Sequence, residues 1–224
     1  MSKFSIIPKI APSILSADFT CLGQEITDLT QAGADWIHCD VMDGHFVPNL
    51  TFGPLIIQAI RPFTPLPLDV HLMIRPVDLF IEPFAQAGAD YITIHPDASL
   101  DPLHDLQKIR SLGKKAGAAL SPNISTEILL PMLEYLDLIL VMTVHPGFGG
   151  QSFMPSQLNK IEEIRTLIDT HGLNIELSVD GGITPQNAPS VLECGASVLV
   201  AGTSIFSKGK SHYQTAIDSL RNPI

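Results

Sequence analysis

Basic groups, cysteines and long apolar runs are all scarce in this chain, and each shortage excludes a class of protein. Thirteen Lys and Arg stand against 23 Asp and Glu, a formal net charge of −10. Non-specific nucleic-acid binding needs Lys and Arg to neutralise phosphates, so it is excluded. Any anionic ligand must be held by local donors, because the global field repels it. The three cysteines, Cys21, Cys39 and Cys194, are odd in number and far apart. They form neither a disulfide framework nor a metal-site spacing, and they read as reduced thiols of a cytoplasmic protein. No run is long enough to span a bilayer, and the start MSKFSIIPKIAPSIL has no continuous apolar signal region. No GxGxxG dinucleotide fingerprint and no interdomain linker occur. The 224 residues therefore read as one α/β domain over 1–224, with a sizeable core and no membrane or nucleic-acid partner.

What is present is alternation. Short β-like runs are predicted at Ile10 to Leu15, Trp36 to Val41, Leu68 to Leu72, Tyr91 to His95, Ala116 to Leu120, Leu138 to Met142, Ile175 to Asp180 and Val198 to Ala201. Many are dense in Val, Ile and Leu, as parallel strands covered on both faces are. Between them, apolar residues recur at helical spacing: Leu22, Ile26 and Leu29; Leu79, Phe80 and Phe84; Leu103, Leu106, Ile109 and Leu112; Leu158, Ile161, Ile164 and Ile168. Ala-Gly-Ala-Asp occurs at Ala32 to Asp35 and at Ala87 to Asp90, with a degenerate copy at Cys194 to Ser197. Each glycine sits where a helix must stop in a left-handed turn and feed the next strand. Eight βα units in roughly 200 to 250 residues predict a (β/α)₈ TIM barrel. The tail Arg221 to Ile224 reads as a short unpacked end.

Three of the runs end in potential metal ligands: His38-Cys39-Asp40, Asp69-Val70-His71 and Ser178-Val179-Asp180. Side chains alternate along a strand, so His38 and Asp40 point one way and Cys39 the other. In a barrel, His38 and Asp40 point inward, near the C-terminal mouth where active sites are built. His38, Asp40, His71 and Asp180 suit one divalent metal ion, zinc first, with iron(II), manganese or cobalt also fitting. His71 taken alone reads equally well as a core histidine. Two carboxylates on a polarised substrate can also move a proton on and off carbon, which points to an enzyme. Glycine loops follow three adjacent strands: Pro146-Gly147-Phe148-Gly149-Gly150-Gln151, Gly181-Gly182 and Gly202-Thr203-Ser204. Grouped amides at glycines bind anions, and barrel enzymes often hold phosphate after strands seven and eight. Met42, Met73 and Met142, at or just past strand ends, either cover a substrate or fill the core. His95 and His145 lie near strand ends; His45, His104, His171 and His212 read as surface or loop. None of these six is assigned to catalysis.

The chain resembles the ribulose-phosphate 3-epimerase family nearly end to end. The resemblance rests on APSILSADF (Ala11 to Phe19), HCDVMDGHFVPNLTFGP (His38 to Pro54), DVHLM (Asp69 to Met73), VMTVHPGFGGQSF (Val141 to Phe153), VDGGI (Val179 to Ile183) and AGTSIF (Ala201 to Phe206). It implies a barrel of the ribulose-phosphate-binding type and interconversion of D-ribulose 5-phosphate and D-xylulose 5-phosphate. By position it implies Asp40 and Asp180 as the catalytic acid/base pair, and His38, Asp40, His71 and Asp180 as metal ligands. It further implies that Ser13, His71, Gly147, Phe148, Gly149, Gly150, Gly181, Gly182, Gly202 and Thr203 contact the sugar phosphate. A homo-oligomer is expected. The chain departs from the family pattern at His145, often Asn, and at His95-Pro96-Asp97, often His-x-Glu. An epimerase of a related ketose phosphate, such as D-allulose 6-phosphate, is the alternative. A decarboxylase on the same type of barrel resembles an Asp-x-Lys-x-x-Asp pattern. Here the stretch is Asp40-Val41-Met42-Asp43, which carries no lysine.

Overall fold

A polar residue at the entry to every second strand ties that strand to its predecessor. Asp35 donates its backbone N–H to the Ile10 carbonyl at 2.9 Å, while its carboxylate accepts the Ile10 N–H at 2.8 Å. Asp90 clips Leu68 in the same two-bond fashion (3.0 and 2.8 Å), Asp137 clips Ala116 (2.8 and 3.0 Å), and Ser197 clips Leu177 (2.8 and 3.0 Å). Three of the clips follow the Ala-Gly and Cys-Gly turns, whose glycines Gly33, Gly88 and Gly195 have φ of 89°, 108° and 99°. A Cβ disfavours that left-handed backbone, so glycine ends the helix there. The fourth clip, Asp137, has no glycine turn before it and follows a 3₁₀ helix instead, so the sequence repeat does not reveal it.

The computed structural model describes residues 7–223. Its elements are β1 (Lys9–Pro12), α1 (Leu22–Gln31), β2 (Ile37–Met42), α2 (Pro54–Ile60), β3 (Leu68–Met73), α3 (Ile81–Ala87), β4 (Tyr91–Ile94), α4 (Pro102–Ser111), β5 (Lys115–Leu120), a 3₁₀ helix (Thr126–Tyr135), β6 (Leu138–Met142), α5 (Leu158–Thr170), β7 (Glu176–Asp180), α6 (Ala188–Glu193), β8 (Val198–Ala201), α7 (Thr203–Phe206) and α8 (Tyr213–Arg221). All neighbouring strands are parallel in the order β1-β8-β7-β6-β5-β4-β3-β2. A bridge between Ser13 and His38 and the Asp35 clip draw β1 to β2, giving the expected (β/α)₈ barrel. No described helix is long and apolar enough to cross a membrane.

The barrel interior has two sectors. Ala11, Ala119, Leu138, Leu140, Met142, Val198 and Val200 fill the side formed by β1 and β5 to β8 (save β7) with apolar groups. His38 and Asp40 on β2, Asp69 and His71 on β3 and Thr93 on β4 fill the other side and are all buried. The N-terminal end is plugged by Trp36 stacked on Tyr91 (ring centroids 4.5 Å apart), with the Lys9 ammonium over the indole and ion-paired to Glu176. Outside the strands, Ile26 and Leu29 of α1, Leu106 and Ile109 of α4 and Ile161, Ile164 and Ile168 of α5 are buried, as their spacing predicts. Cys39 faces this outer core, opposite to His38 and Asp40.

Four expectations need correction. The first strand stops at Pro12: Ile14–Ser16 turns over the mouth, with Ala17 N–H bonding back to the Ile14 carbonyl at 3.0 Å. The fourth strand stops at Ile94, because His95 precedes a proline that begins a 3₁₀ turn. Leu79 and Phe80 do not share a buried helical face with Phe84. Helix α3 begins only at Ile81, and both side chains stay exposed while Ile81 and Phe84 are buried. Arg221 is not an unpacked end: it closes α8, and its guanidinium bonds Asp35 (2.6 Å) and the Gly33 carbonyl (2.8 Å). Ile224 and residues 1–6 lie outside the described residues.

These burials separate two substitutions that the sequence pattern treats alike. Phe84→Ala should cost about 3 to 5 kcal/mol, as for a fully buried aromatic. Leu79→Ala should stay within about 0.5 kcal/mol. Urea unfolding of both variants checks the assignment.

Candidate active site

Strand register carries the polar sector to one point. His38 pairs with Asp69 across β2 and β3, and Asp40 pairs with His71, so four inward side chains stack in two layers. In the lower layer, His38 Nδ1 lies 2.7 Å from Asp69 Oδ2, and Thr93 Oγ1 donates to Asp69 Oδ1 at 3.4 Å. In the upper layer, Asp40 Oδ1 lies 3.2 Å from His38 Nε2 and 3.1 Å from His71 Nδ1. The other Asp40 oxygen, Oδ2, accepts the Ser13 hydroxyl at 2.6 Å. Asp180, from the end of β7, completes the group: His38, Asp40, His71 and Asp180 each offer an atom within 4.8 Å of the others.

This group lies at the base of a cavity of about 490 Å³ at the C-terminal mouth. Asp40 and Asp180 line the cavity, whereas the imidazoles of His38 and His71 lie beneath it, fully buried. Met42, Met73 and Met142 line it as well, so the three thioethers do reach the ligand space. The loop Gly147 to Gly150, with Gly181, Gly182, Gly202 and Thr203, forms the opposite wall. Gly182 is required there twice over. Its φ is +65°, and a Cβ would press on the Phe153 amide and lie 2.8 Å from the Gln151 carbonyl. At Gly202 a Cβ would lie 2.6 Å from Ser16 Oγ. Phe148 is half exposed at the rim. Asn49 Nδ2 donates to the Gly147 carbonyl at 2.9 Å and pins this loop to the segment after β2. Among the described residues, the only charged ones lining the cavity are Asp40 and Asp180.

The two carboxylates differ sharply in proton affinity. Burial pushes Asp180 up, and the neighbouring Asp40 charge adds to this, giving a value of about 7. Burial also disfavours ionised Asp40, but the His38 charge and hydrogen bonds from His38 and His71 outweigh it and hold the carboxyl well below its ordinary range. His38 shows the reciprocal shift. Burial alone would strip its proton, yet Asp40 and Asp69 together raise its affinity well above the ordinary imidazole value.

The donor set fits a divalent cation. Two imidazole nitrogens and two carboxylates within 4.8 Å are ligand types and a spacing that zinc and its neighbours accept. His38 is also backed on its far nitrogen by a buried carboxylate, as metal-bound histidines commonly are.

The structure reaches two residues that pattern reading left out. Asp69 was visible as the start of Asp69-Val70-His71, two residues before His71 and hence on its face. His95 was set aside as a mouth residue, yet it is fully buried with Nε2 at 2.8 Å from His71 Nε2. Its signal was weak, because it lies one residue past its strand, where pleat alternation no longer fixes direction. His145 is exposed, and His45, His104, His171 and His212 lie outside the group.

Comparison with known proteins agrees with this architecture. Solved barrels at low identity share the fold: 3-hexulose-6-phosphate synthase (TM-score 0.67, 18% identity, 96% of this chain and 99% of that chain) and KGPDC from Streptococcus mutans (TM-score 0.71, 14% identity, 97% and 99%). The family model described as the ribulose-phosphate 3 epimerase family matches residues 9–206. Proteins named ribulose-phosphate 3-epimerase from Synechocystis sp., Bacillus subtilis and Escherichia coli K12 are 53%, 50% and 46% identical to this chain. The alignments cover 95%, 95% and 96% of this chain and 93%, 98% and 95% of those proteins. With a match that runs through both the glycine loops and the His/Asp group, the chain belongs to the ribulose-phosphate 3-epimerase family.

Proposed function

We propose that this chain interconverts D-ribulose 5-phosphate and D-xylulose 5-phosphate, moving the C3 proton between substrate and the pair Asp40 and Asp180. The observation that carries this reading is two carboxylates facing one cavity with opposite proton affinities. Epimerisation needs one ionised group to take the proton α to the C2 ketone and one protonated group to return a proton to the other face. Asp40, held ionised, is the base in one direction, and Asp180, protonated near neutrality, is the acid. The roles exchange in reverse. Between the strands that carry them lie β1 and β8, so they approach the cavity floor from different directions. Ser13 holds Asp40 Oδ2 on the cavity side and fixes the lone pairs that must meet C3.

His38, Asp40, His71 and Asp180 would hold one divalent cation, zinc first, with iron(II), manganese or cobalt as alternatives. Bound there, it would supply Lewis-acid polarisation of the ketone oxygen. The three methionines and Leu15 cover the floor and exclude water from the reacting carbon. At the other wall, backbone amides and hydroxyls around Gly150, Gly182, Gly202, Thr203 and Ser204 bind the phosphate without a cationic side chain. That anchor aligns C3 with the carboxylates, which is worth several powers of ten in rate. Three unpaired thiols fit a cytoplasmic setting for the enzyme.

Asp40→Asn and Asp180→Asn should each lower kcat by about 10²- to 10⁴-fold in both directions while the fold is retained. Coupled assays with each ketose phosphate measure this, and near-normal turnover in either variant rejects that residue's role. Exhaustive chelation should also remove activity, and added zinc should restore it. Zinc binding has a calculable sign with pH. His38 holds a proton on the nitrogen that a cation would take, so binding must displace it, whereas the Asp180 proton is the one the reaction uses. Affinity should therefore strengthen as pH rises from 6 to 8, with net proton release. Calorimetry in buffers of different ionisation enthalpy reads both quantities, and affinity that falls with rising pH rules out this ligand set.

A further inference from the structure

We propose that His95 is a positioning residue for the metal centre, the inner member of a relay Asp97/Ser121–His95–His71 that aims the His71 imidazole. The inference rests on the cation-binding reading above. It starts from an asymmetry between the two imidazoles. His38 turns Nε2 toward Asp40 and presents Nδ1 to the Asp69 carboxylate at 2.7 Å. His71 is reversed: Nδ1 faces Asp40 at 3.1 Å, and Nε2 faces away from that carboxylate. Among the described residues no carboxylate meets that nitrogen. It meets a third fully buried imidazole, His95 Nε2, at 2.8 Å.

Tautomers follow from this contact. To ligate through Nδ1, His71 must carry its proton on Nε2. That proton points at His95 Nε2, which must therefore be a bare lone pair. His95 then carries its own proton on Nδ1, and a buried N–H needs an acceptor. Two lie in reach of a small adjustment: Ser121 Oγ at 3.4 Å and Asp97 Oδ1 at 3.8 Å. Asp97 Oδ1 is buried and makes no hydrogen bond among the described residues, so it is an unused acceptor aimed at the ring. The Phe46 ring packs on His95 (centroids 4.9 Å apart) and closes the space in which it could turn. Donors thus run outward in one sense, from His71 to His95 to Asp97 or Ser121. His71 receives through an intervening imidazole the orientation that His38 receives directly from Asp69.

His95 does not line the cavity, so it acts through His71 and not on substrate. Removing its acceptor leaves a buried His71 N–H unpaired and frees the ring to turn its other nitrogen toward the cation. Loss of such a partner typically costs about 10- to 100-fold in metal affinity.

The test measures zinc affinity of the chelator-stripped full chain by competition with a chromogenic chelator at fixed pH. The set is wild type, His95→Leu, His95→Gln and the double variant Asp97→Ala/Ser121→Ala. A glutamine amide oxygen can stand near the position of His95 Nε2 and accept the same proton. The expected result is one zinc per wild-type chain, a loss of about 10- to 100-fold in His95→Leu, and recovery of most of it in His95→Gln. A smaller loss is expected in the double variant, which keeps His95 but strips its Nδ1–H of acceptors. A packing role alone would not discriminate Gln from Leu in this way, so equal affinities in those two variants overturn the proposal. If His95→Leu does not fold, the double variant decides: wild-type affinity there overturns it, and weakened affinity supports it. Failure of the wild type itself to bind zinc overturns the cation reading along with the relay. Tight wild-type binding that none of the variants alters overturns the relay alone.

Discussion

Everything at the mouth of this barrel depends on ionisable groups buried together on one side of its interior. Asp40, Asp69, His38, His71 and His95 are all buried, and each would be costly there alone. They are tolerated because they satisfy one another. Asp69 takes His38, Asp40 takes both His38 and His71, and His71 takes His95. This network cannot be assembled piecemeal, because removing one member strands a buried charge or donor on the next. The apolar half of the interior supplies the counterweight. Leu138, Leu140, Val198 and Val200 give the barrel an ordinary packed core, against which the polar half is held.

Placement of that network is a matter of register more than of any local motif. One residue of slip between β2 and β3 would send His38 and Asp40 into the helical layer and Cys39 into the barrel. The β2–β3 register rests on its own ladder from Ile37–Leu68 to Met42–Met73, while the paired clips at Asp35, Asp90, Asp137 and Ser197 resist slip at the β1–β2, β3–β4, β5–β6 and β7–β8 seams, because each fixes an N–H and a C=O of the preceding strand at once. They sit at the N-terminal end of the barrel, far from the chemistry, and leave the C-terminal loops free to carry the ligand contacts. Stability and function are thereby divided between the two ends of the same strands.

The same division explains what could be read from the residues alone. Period-two alternation predicts that His38 and Asp40 face inward, and helical spacing predicts the buried faces of α1, α4 and α5; in each case a repeating backbone geometry determines the side chain. Leu79 and Phe80 broke the inference because spacing is silent about where a helix starts. They lie before α3, where no helical turn aligns them with Phe84. Arg221 was misread because its partners, Asp35 and Gly33, are distant in sequence. His95 was missed for a related reason. It sits just outside its strand, and its contact with His71 depends on how the chain bends at Pro96. The candidate metal ligands are legible because four residues of the right chemistry lie near the ends of three strands of one barrel. The relay behind them belongs to three-dimensional packing.

Charge arithmetic links the two walls of the cavity. In the proposed reaction a sugar phosphate would bring negative charge into a protein of net charge −10, and among the described residues the only charged ones lining the cavity are two aspartates. Neutral dipoles at the glycine loops can solvate the phosphate, but they do nothing for the charge that develops at the ketone oxygen above Asp40 and Asp180. Without compensation, the pair responds in the way its proton affinities record: Asp180 keeps its proton to about 7, relieving repulsion from Asp40. Under the proposed reading, a divalent cation among His38, Asp40, His71 and Asp180 would change that balance, because it would offset both carboxylates and the developing oxyanion. The network of His38, His71, Asp69 and His95 would then have a single task, which is to hold two neutral imidazoles with their lone pairs aimed at one point. On the proposed reading, a site that binds an anion through dipoles at one end would concentrate positive charge at the other, where the bond to hydrogen would break.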